Sequence, residues 1–93
     1  RNSIDHIDQK LIDLLSDRFH LIDQVGAYKK AHKLSVYQGG RWKDVLESRI
    51  KLGTEKDMSE KFMKNLLIAI HDESIKRQEK QIANKDVEPL TII

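Results

Sequence analysis

Three cations lie on or beside an apolar seam in the first third of the chain. The seam is a series of apolar side chains at alternating steps of three and four residues, the spacing of a helix that packs along another helix: Ile4, Ile7, Leu11, Leu14, Leu21, Val25 and Tyr28. Arg18 interrupts the series, Arg1 falls on the seam at its start, and Lys29 lies one residue past its end. A buried charge is costly unless it is paired, and the seam carries no acidic residue. The pattern therefore indicates either an anion bound from outside the chain or an arginine whose head group reaches water.

The anion that suits these cations is a small dianion with further oxygen atoms. Arginines bind carboxylates through planar, forked hydrogen bonds, and Lys29 and Gln78 could donate to a remaining oxygen. Arg18 and Lys29 are separated by about 16 Å along a helix, so their long side chains can converge on one molecule. Arg1 lies about 25 Å from Arg18 and cannot reach that molecule within one chain. Two copies with antiparallel first helices would bring Arg1 of one chain to the other two cations, giving two equivalent sites.

Residues for covalent or metal chemistry are not grouped in the sequence. No serine, histidine and acid combination indicates a nucleophile, and the four histidines, which lack metal-ligand spacing, are interpreted as surface residues. There are no cysteines, which excludes disulfides and thiolate zinc sites. We expect no metal and no cofactor, and a site that acts by positioning and electrostatics.

The elements that must position these residues are predicted to be helices. The chain has 93 residues, of which 34% are charged and 5% aromatic, with a single proline, and this composition favours one all-α domain. We expect three helices at about 2–33, 41–52 and 59–82, which make a domain over 1–82, and a C-terminal tail over 83–93 with a break at Pro89. A chain this short has a small core, so its apolar seam is expected to pack against a second copy.

Charge and hydropathy limit the partners. A net charge of +2 without a basic block argues against nucleic acid, and no apolar run approaches the length that spans a membrane. No signal peptide is visible, and the cytoplasm is the expected location. The sequence begins inside a helical pattern, which suggests a piece of a longer chain.

Glycines and polar positions indicate how the helices meet. Gly26 inside the first helix predicts a close backbone approach, and Gly53 predicts the end of the second helix. The pair Gly39 and Gly40 is the strongest breaker in the chain, after a connector whose buried anchor is predicted to be Val36. The third helix has one inner line that changes from apolar to polar side chains: Met63, Leu67, Ile70, Ser74 and Gln78. Ser74 and Gln78, at the polar end of this line, either face the cations of the first helix or lie beyond the end of the core, exposed to solvent.

An ordered set of residues extends through most of the chain: Arg1, Ile4, Ile7, Asp8, Leu11, Ile12, Leu14, Leu15, Arg18, Gly26, Lys29, Val36, Arg41, Ser74 and Gln78. Over residues 1 to about 82 this set resembles the all-helical (AroQ-type) chorismate mutases. The resemblance implies three helices per chain, one of them long, in an intertwined homodimer. It also implies the rearrangement of chorismate to prephenate, toward phenylalanine and tyrosine. That intramolecular pericyclic step requires neither a base nor a nucleophile.

The resemblance also implies residue roles. Arg18, together with Arg1 of the partner subunit, matches the carboxylate-binding arginines of the family. Lys29 and Gln78 match the pair that donates to the ether oxygen, where negative charge grows as the bond breaks. Ser74 matches a residue close to a substrate carboxylate.

The chain departs from the family pattern around Arg41, which matches a further arginine near the carboxylate. Many members have a glutamate directly after it that binds the substrate hydroxyl, and here that residue is Trp42. An aspartate usually lies three residues before the arginine, and here it is Gln38. Hydroxyl recognition is therefore expected from Gln38 or from backbone. The run from Gln38 to Trp42 is similar to mutase domains fused to DAHP synthase, the first enzyme of the shikimate pathway, in which the mutase domain also serves regulation by prephenate.

Three alternatives stay open at this point. Isochorismate-pyruvate lyase has the same fold and a cationic pocket, and Ser74 favours the mutase over it. A weakly active regulatory domain would bind chorismate or prephenate in the same pocket but would convert chorismate only slowly. A plain helical interaction domain would use Arg18 only as a surface residue.

Overall fold

The chain forms three α-helices in a computed structural model. The model describes the backbone of residues 2–37 and 39–92 and the side chains of residues 2–37 and 39–83. Helix α1 is Asn2–Ala31, α2 is Gly39–Thr54 and α3 is Glu60–Ile92. The described residues contain no strand, which confirms the predicted all-α class. None of these helices is apolar over a stretch long enough to cross a membrane.

Both helix–helix connections begin with the same C-terminal hydrogen-bond pattern. At the end of α1, the Leu34 amide donates to the carbonyl of Lys29 and the Lys33 amide to that of Lys30. Lys33 has a positive φ of 56°, so a lysine occupies the left-handed position that usually belongs to glycine. Helix α1 therefore ends two residues before the predicted boundary of 33.

The prediction that Gly53 ends the second helix is wrong. Helix α2 continues to Thr54, and the left-handed residue that follows it is Asp57, with a φ of 68°. The Met58 amide closes the pattern by donating to the Gly53 carbonyl. Gly53 is buried because the Met63 side chain lies where its Cβ would be. A glycine is therefore favoured at position 53 because of side-chain packing, and not because the chain turns there.

The start of α2 also differs from the prediction. Gly39 and Gly40 were expected to break the chain, but they form the first turn of α2, which begins two residues earlier than predicted. A Cβ at either glycine would meet nothing within 4 Å. At a helix N-terminus the first amides have no partner within the helix in any case, so flexible residues are tolerated there.

The C-terminal helix is longer than the predicted 59–82. Ser59 caps it by accepting a hydrogen bond of 3.1 Å from the Phe62 amide, and the helix then runs through Pro89 to Ile92. A proline removes one backbone hydrogen bond and bends a helix, and it need not end one. The division into a domain over 1–82 and a tail over 83–93 stays a prediction.

Helix α3 is the central element, because it packs against both other helices whereas α1 and α2 do not contact each other within the described residues. Helices α1 and α3 approach each other closely at Gly26, where an added Cβ would lie 3.0 Å from the Cα of Gln78. The predicted close backbone packing is thus confirmed. Val36 in the first connector is buried at 7% exposure, as predicted.

One chain has little core of its own. The radius of gyration is 16.6 Å, whereas a compact chain of this length would have about 12 Å. Val36 and Met63 are the buried hydrophobic side chains of the described part. The α1 seam is 40% to 65% exposed along its whole length, at residues Ile4, Ile7, Leu11, Leu14, Leu21, Val25 and Tyr28.

Candidate active site

A cavity of about 410 Å³ lies where the three helices and the first connector meet. This volume is in the range of small-molecule sites. The cavity is lined by apolar side chains and by a polar set: Arg18, Lys29, Arg41, Trp42, Arg49, His71, Ser74 and Gln78. Four of these are cations, and none of the described lining residues is acidic. The cavity therefore attracts anions.

Arg18 reaches across from α1 to α3. Its Nη1 atom donates to the Ser74 hydroxyl at 3.1 Å, and that hydroxyl in turn donates to the Ile70 carbonyl at 2.7 Å. Ser74 is 5% exposed and holds one end of the guanidinium at the cavity wall. Arginine has five N–H donors, and the hydrogen bonds among the described residues use one nitrogen of Arg18, so its other donors can bind an anion.

Gln78 is the other buried polar residue of the cavity, also at 5% exposure. It lies one turn after Ser74, against Gly26 of α1, where the absence of a side chain lets the two backbones approach. Its Nε2 donates to the Ser74 carbonyl over a long 3.4 Å, and its Oε1 is buried without a partner in the described residues. A buried amide with unused hydrogen-bonding capacity is costly in an empty site and becomes favourable when a ligand binds.

Lys29 and Arg41 complete the predicted cationic set from two directions. Lys29 lies in the last turn of α1 and is half-buried, whereas Arg41 lies exposed in the first turn of α2. Arg49, two turns after Arg41, adds a fourth cation that was not among the predicted site residues. Its place four residues after Val45 on the apolar stripe of α2 is the signal that identifies it.

His71 and Trp42 form an aromatic pair in the cavity wall. The ring centroids are 3.8 Å apart and the planes are inclined by 13°, so the rings are stacked. The interpretation of His71 as a surface residue is wrong, since it is half-buried and lines the cavity. The signal was its position on the inner line of α3, between Leu67 and Ser74.

The first connector is attached to α3 beside the cavity. The Tyr37 hydroxyl donates to the Glu79 carboxylate, one residue after Gln78. This hydrogen bond, and then the negative charge of Glu79, raise the pKa of Tyr37 above its ordinary value. With Val36 buried next to it, the connector is held on α3 at two adjacent residues.

The structure brings five of the seven predicted site residues to one cavity: Arg18, Lys29, Arg41, Ser74 and Gln78. The other two, Arg1 and Gln38, lie outside the described residues. The described residues contain no group of three or more histidine, cysteine or carboxylate side chains with the geometry of a metal site.

Comparison of the sequence with known proteins identifies a family. The family model for chorismate mutase type II matches residues 1–79. A stretch of 71 residues is 34% identical to the T-protein of Enterobacter agglomerans and covers 72% of this chain but 19% of that protein. The chain spans about a fifth of the length of this curated relative. With the family match extending over most of its residues, and with an all-helical fold around a cationic cavity, the chain belongs to the chorismate mutase type II family.

Proposed function

We propose that this chain catalyses the rearrangement of chorismate to prephenate. The observation that carries the proposal is the polarity of the cavity, which has four cations, no acidic side chain among its described lining residues, and the buried Nε2 group of Gln78, which has two N–H donors and makes one hydrogen bond, to the Ser74 carbonyl. Chorismate carries two carboxylates and an ether oxygen, so it matches both the charge and the donors. Membership of the chorismate mutase type II family supports the same reaction.

In the proposed mechanism the arginines bind the carboxylates, and Lys29 and Gln78 act on the ether oxygen. Arg18, held by Ser74, binds one carboxylate and Arg41 approaches a carboxylate from α2. Lys29 and Gln78 donate to the ether oxygen of the substrate. In the reaction the carbon–oxygen bond breaks while a carbon–carbon bond forms within the same molecule. No proton is transferred, so the protein contributes by orienting the substrate and by stabilising the developing negative charge.

The cavity is proposed to be completed by a second copy of the chain. The exposed α1 seam supports a homodimer, because a long apolar stripe at helical spacing requires a partner. In an antiparallel pair, Arg1 of the partner subunit would supply the second carboxylate-binding arginine. Gln38, which precedes Gly39 in the sequence, is also proposed to contribute to substrate binding.

The test is turnover of chorismate by charge-deletion variants. Lys29→Ala and Arg18→Ala should each lower kcat/KM by at least about a hundredfold, which is typical for removal of a transition-state donor. Lys30→Ala is the matched control, because Lys30 lies next to Lys29 but donates to the Gln81 carbonyl and does not line the cavity. Circular dichroism should show that all three variants are folded. Rates near wild type in both cavity variants would contradict the site assignment.

A second candidate is a regulatory domain that binds chorismate or prephenate with little turnover. The observation that favours it is Trp42, because a hydrophobic indole stands in the cavity wall where many family members have the acid that binds the hydroxyl. Its proposed partner is a DAHP synthase domain, either in the same polypeptide or as a separate chain. Prephenate binding measured by calorimetry without chorismate turnover would favour this candidate, and recovery of turnover on adding the synthase domain would identify the partner. Assay with isochorismate tests the lyase alternative.

A further inference from the structure

The stacked pair of Trp42 and His71 has no assigned task in the proposed reaction. Both side chains line the cavity, one from α2 and one from α3. The stack joins two helices that form different parts of the cavity wall. His71 is the one imidazole among the described lining residues.

The geometry of the stack leaves the polar edge of His71 available. In an imidazole both nitrogens lie in the ring plane, whereas the indole of Trp42 covers the ring face, at a centroid distance of 3.8 Å. The hydrogen bonds of the described residues include none to either nitrogen of His71. A half-buried imidazole without a protein partner offers one donor and one acceptor in its neutral form.

The position of His71 on α3 places it beside the residues proposed to hold the substrate. His71, Ser74 and Gln78 follow one another at steps of three and four residues, so they lie on one face of the helix. His71 is displaced from Ser74 by about 4.5 Å along the axis, and Gln78 by about 6 Å in the other direction. Arg18 is hydrogen-bonded to Ser74, between the other two residues, and all of them line the same cavity, so a small dianion held by Arg18 has His71 on one side and Gln78 on the other.

We infer that His71 binds the ring hydroxyl of chorismate and that Trp42 is the positioning residue that orients its imidazole. The inference rests on the proposed function. A hydroxyl both donates and accepts, and a neutral imidazole matches both roles with its two nitrogens. The indole of Trp42 only donates, and its face is occupied by the stack. With no acid among the described lining residues, His71 provides the hydrogen-bond acceptor that the hydroxyl requires.

The test compares chorismate with an analogue in which hydrogen replaces the ring hydroxyl. The wild-type chain should convert chorismate with a kcat/KM about tenfold to a hundredfold higher than the analogue, the range for one buried hydrogen bond. In His71→Ala this ratio should fall to near one, because the variant loses rate only with the substrate that has the hydroxyl. His71→Gln, which keeps a donor and an acceptor, should recover part of the ratio.

Trp42 is tested with the same pair of substrates. Trp42→Phe preserves an aromatic face and should keep most of the discrimination, whereas Trp42→Ala should lower it, because the imidazole is then no longer oriented. His20→Ala is the matched control, since His20 is exposed on α1 and does not line the cavity. Circular dichroism at the assay temperature establishes that each variant is folded.

The outcomes separate this inference from the proposed function. If the wild-type chain does not convert chorismate, the proposed function fails and the inference fails with it. If it does convert chorismate but His71→Ala keeps the wild-type ratio between the two substrates, the proposed function stands and the inference is overturned. An equal loss of rate with both substrates in His71→Ala would also overturn it, because that result indicates a structural role.

Discussion

At the scale of single residues, the site depends on polar side chains that are buried by their neighbours. Ser74 and Gln78 are each 5% exposed, and each has a backbone carbonyl of α3 as a hydrogen-bond acceptor. Arg18 gains a fixed orientation from Ser74 at little cost, because the rest of its guanidinium stays accessible. The Arg18 guanidinium is thereby held at the cavity wall by its own chain, as the proposed electrostatic catalysis requires.

The hydrogen bond between Tyr37 and Glu79 predicts a measurable titration. The carboxylate accepts from the phenol and favours its protonated form, so the pKa of Tyr37 is raised in the folded chain. The stabilisation is fully present below the pKa of the unfolded phenol and is lost as pH rises through the folded pKa. Ultraviolet titration of the wild-type chain against Tyr37→Phe should assign to Tyr37 a midpoint above that of a tyrosine in the denatured chain.

Glu79→Gln is the control for this titration, because it removes the charge and keeps the size of the side chain. The midpoint of Tyr37 should move back toward its ordinary value in that variant. An unchanged midpoint would show that the contact with Glu79 is absent in solution.

At the scale of elements, the distance between α1 and α3 determines whether the proposed donors Lys29 and Gln78 can bind the same oxygen atom. Lys29 lies on α1 and Gln78 on α3, and Gly26 lies three residues before Lys29 where the two helices approach closely. A Cβ at position 26 would lie 3.0 Å from the Cα of Gln78, so the α3 backbone would have to move by a few tenths of an ångström. The separation of the two donors is therefore controlled by one missing methyl group.

Gly26→Ala should lower kcat/KM by at least about tenfold while the chain stays folded. Alanine gains about 1 kcal/mol of helix propensity over glycine, which offsets part of the roughly 1–3 kcal/mol that overpacking costs. The net loss of unfolding free energy, measured by urea denaturation, is therefore about 0–2 kcal/mol. The activity falls because the α3 backbone and Gln78 move away from Lys29.

Gly53→Ala is the comparison at the other end of the molecule. An added Cβ there meets only the Met63 side chain, and neither residue lines the cavity. This variant should lose stability through displacement of Met63 and keep the rate per folded molecule. Equal losses of rate in both variants would refute the special role of the approach at Gly26.

At the scale of the whole molecule, one chain leaves a long apolar stripe uncovered. Its dimensions are 55 × 35 × 16 Å, and the seam along α1 is exposed from Ile4 to Tyr28. A monomer rarely exposes so long an apolar stripe, and a second copy with an antiparallel α1 would cover it. In the proposed dimer each cavity takes Arg1 from the partner subunit.

Mixing two inactive variants tests this shared site. Arg1→Ala and Lys29→Ala should each be inactive alone, because each lacks one residue in both cavities. In a mixed dimer one cavity carries both substitutions and the other carries neither. Random exchange makes half of the dimers mixed, so about a quarter of the wild-type activity should return.

Sedimentation of each variant and of the mixture is the control, since exchange requires dimers that dissociate and reassemble. No recovery of activity after demonstrated exchange would show that Arg1 acts within its own chain or not at all. A stable and fully active monomer would contradict the shared site directly.

The sequence alone determined the class of the fold and predicted several of the residues that line the cavity. The period of the apolar residues predicts helices, and the polar positions that interrupt this period, Arg18, Ser74 and Gln78, are among the residues that line the cavity. Local patterns carry this information because a helix places residues three and four apart on one face, whatever it packs against. The close backbone approach at Gly26 was also predicted from a local pattern, since a glycine inside a helix usually marks a close contact.

The tertiary structure decided what depends on residues distant in the sequence. The burial of Gly53 depends on Met63, and the role of His71 in the cavity wall depends on its stack with Trp42, 29 positions earlier in the chain. The ends of α1 and α2 also differ from the predicted ends. At both ends the left-handed residue, which is usually a glycine, is a lysine or an aspartate: Lys33 and Asp57. These outcomes follow from packing between elements. The sequence pattern predicts which face of each helix is apolar, but it does not predict which helix or side chain packs against that face.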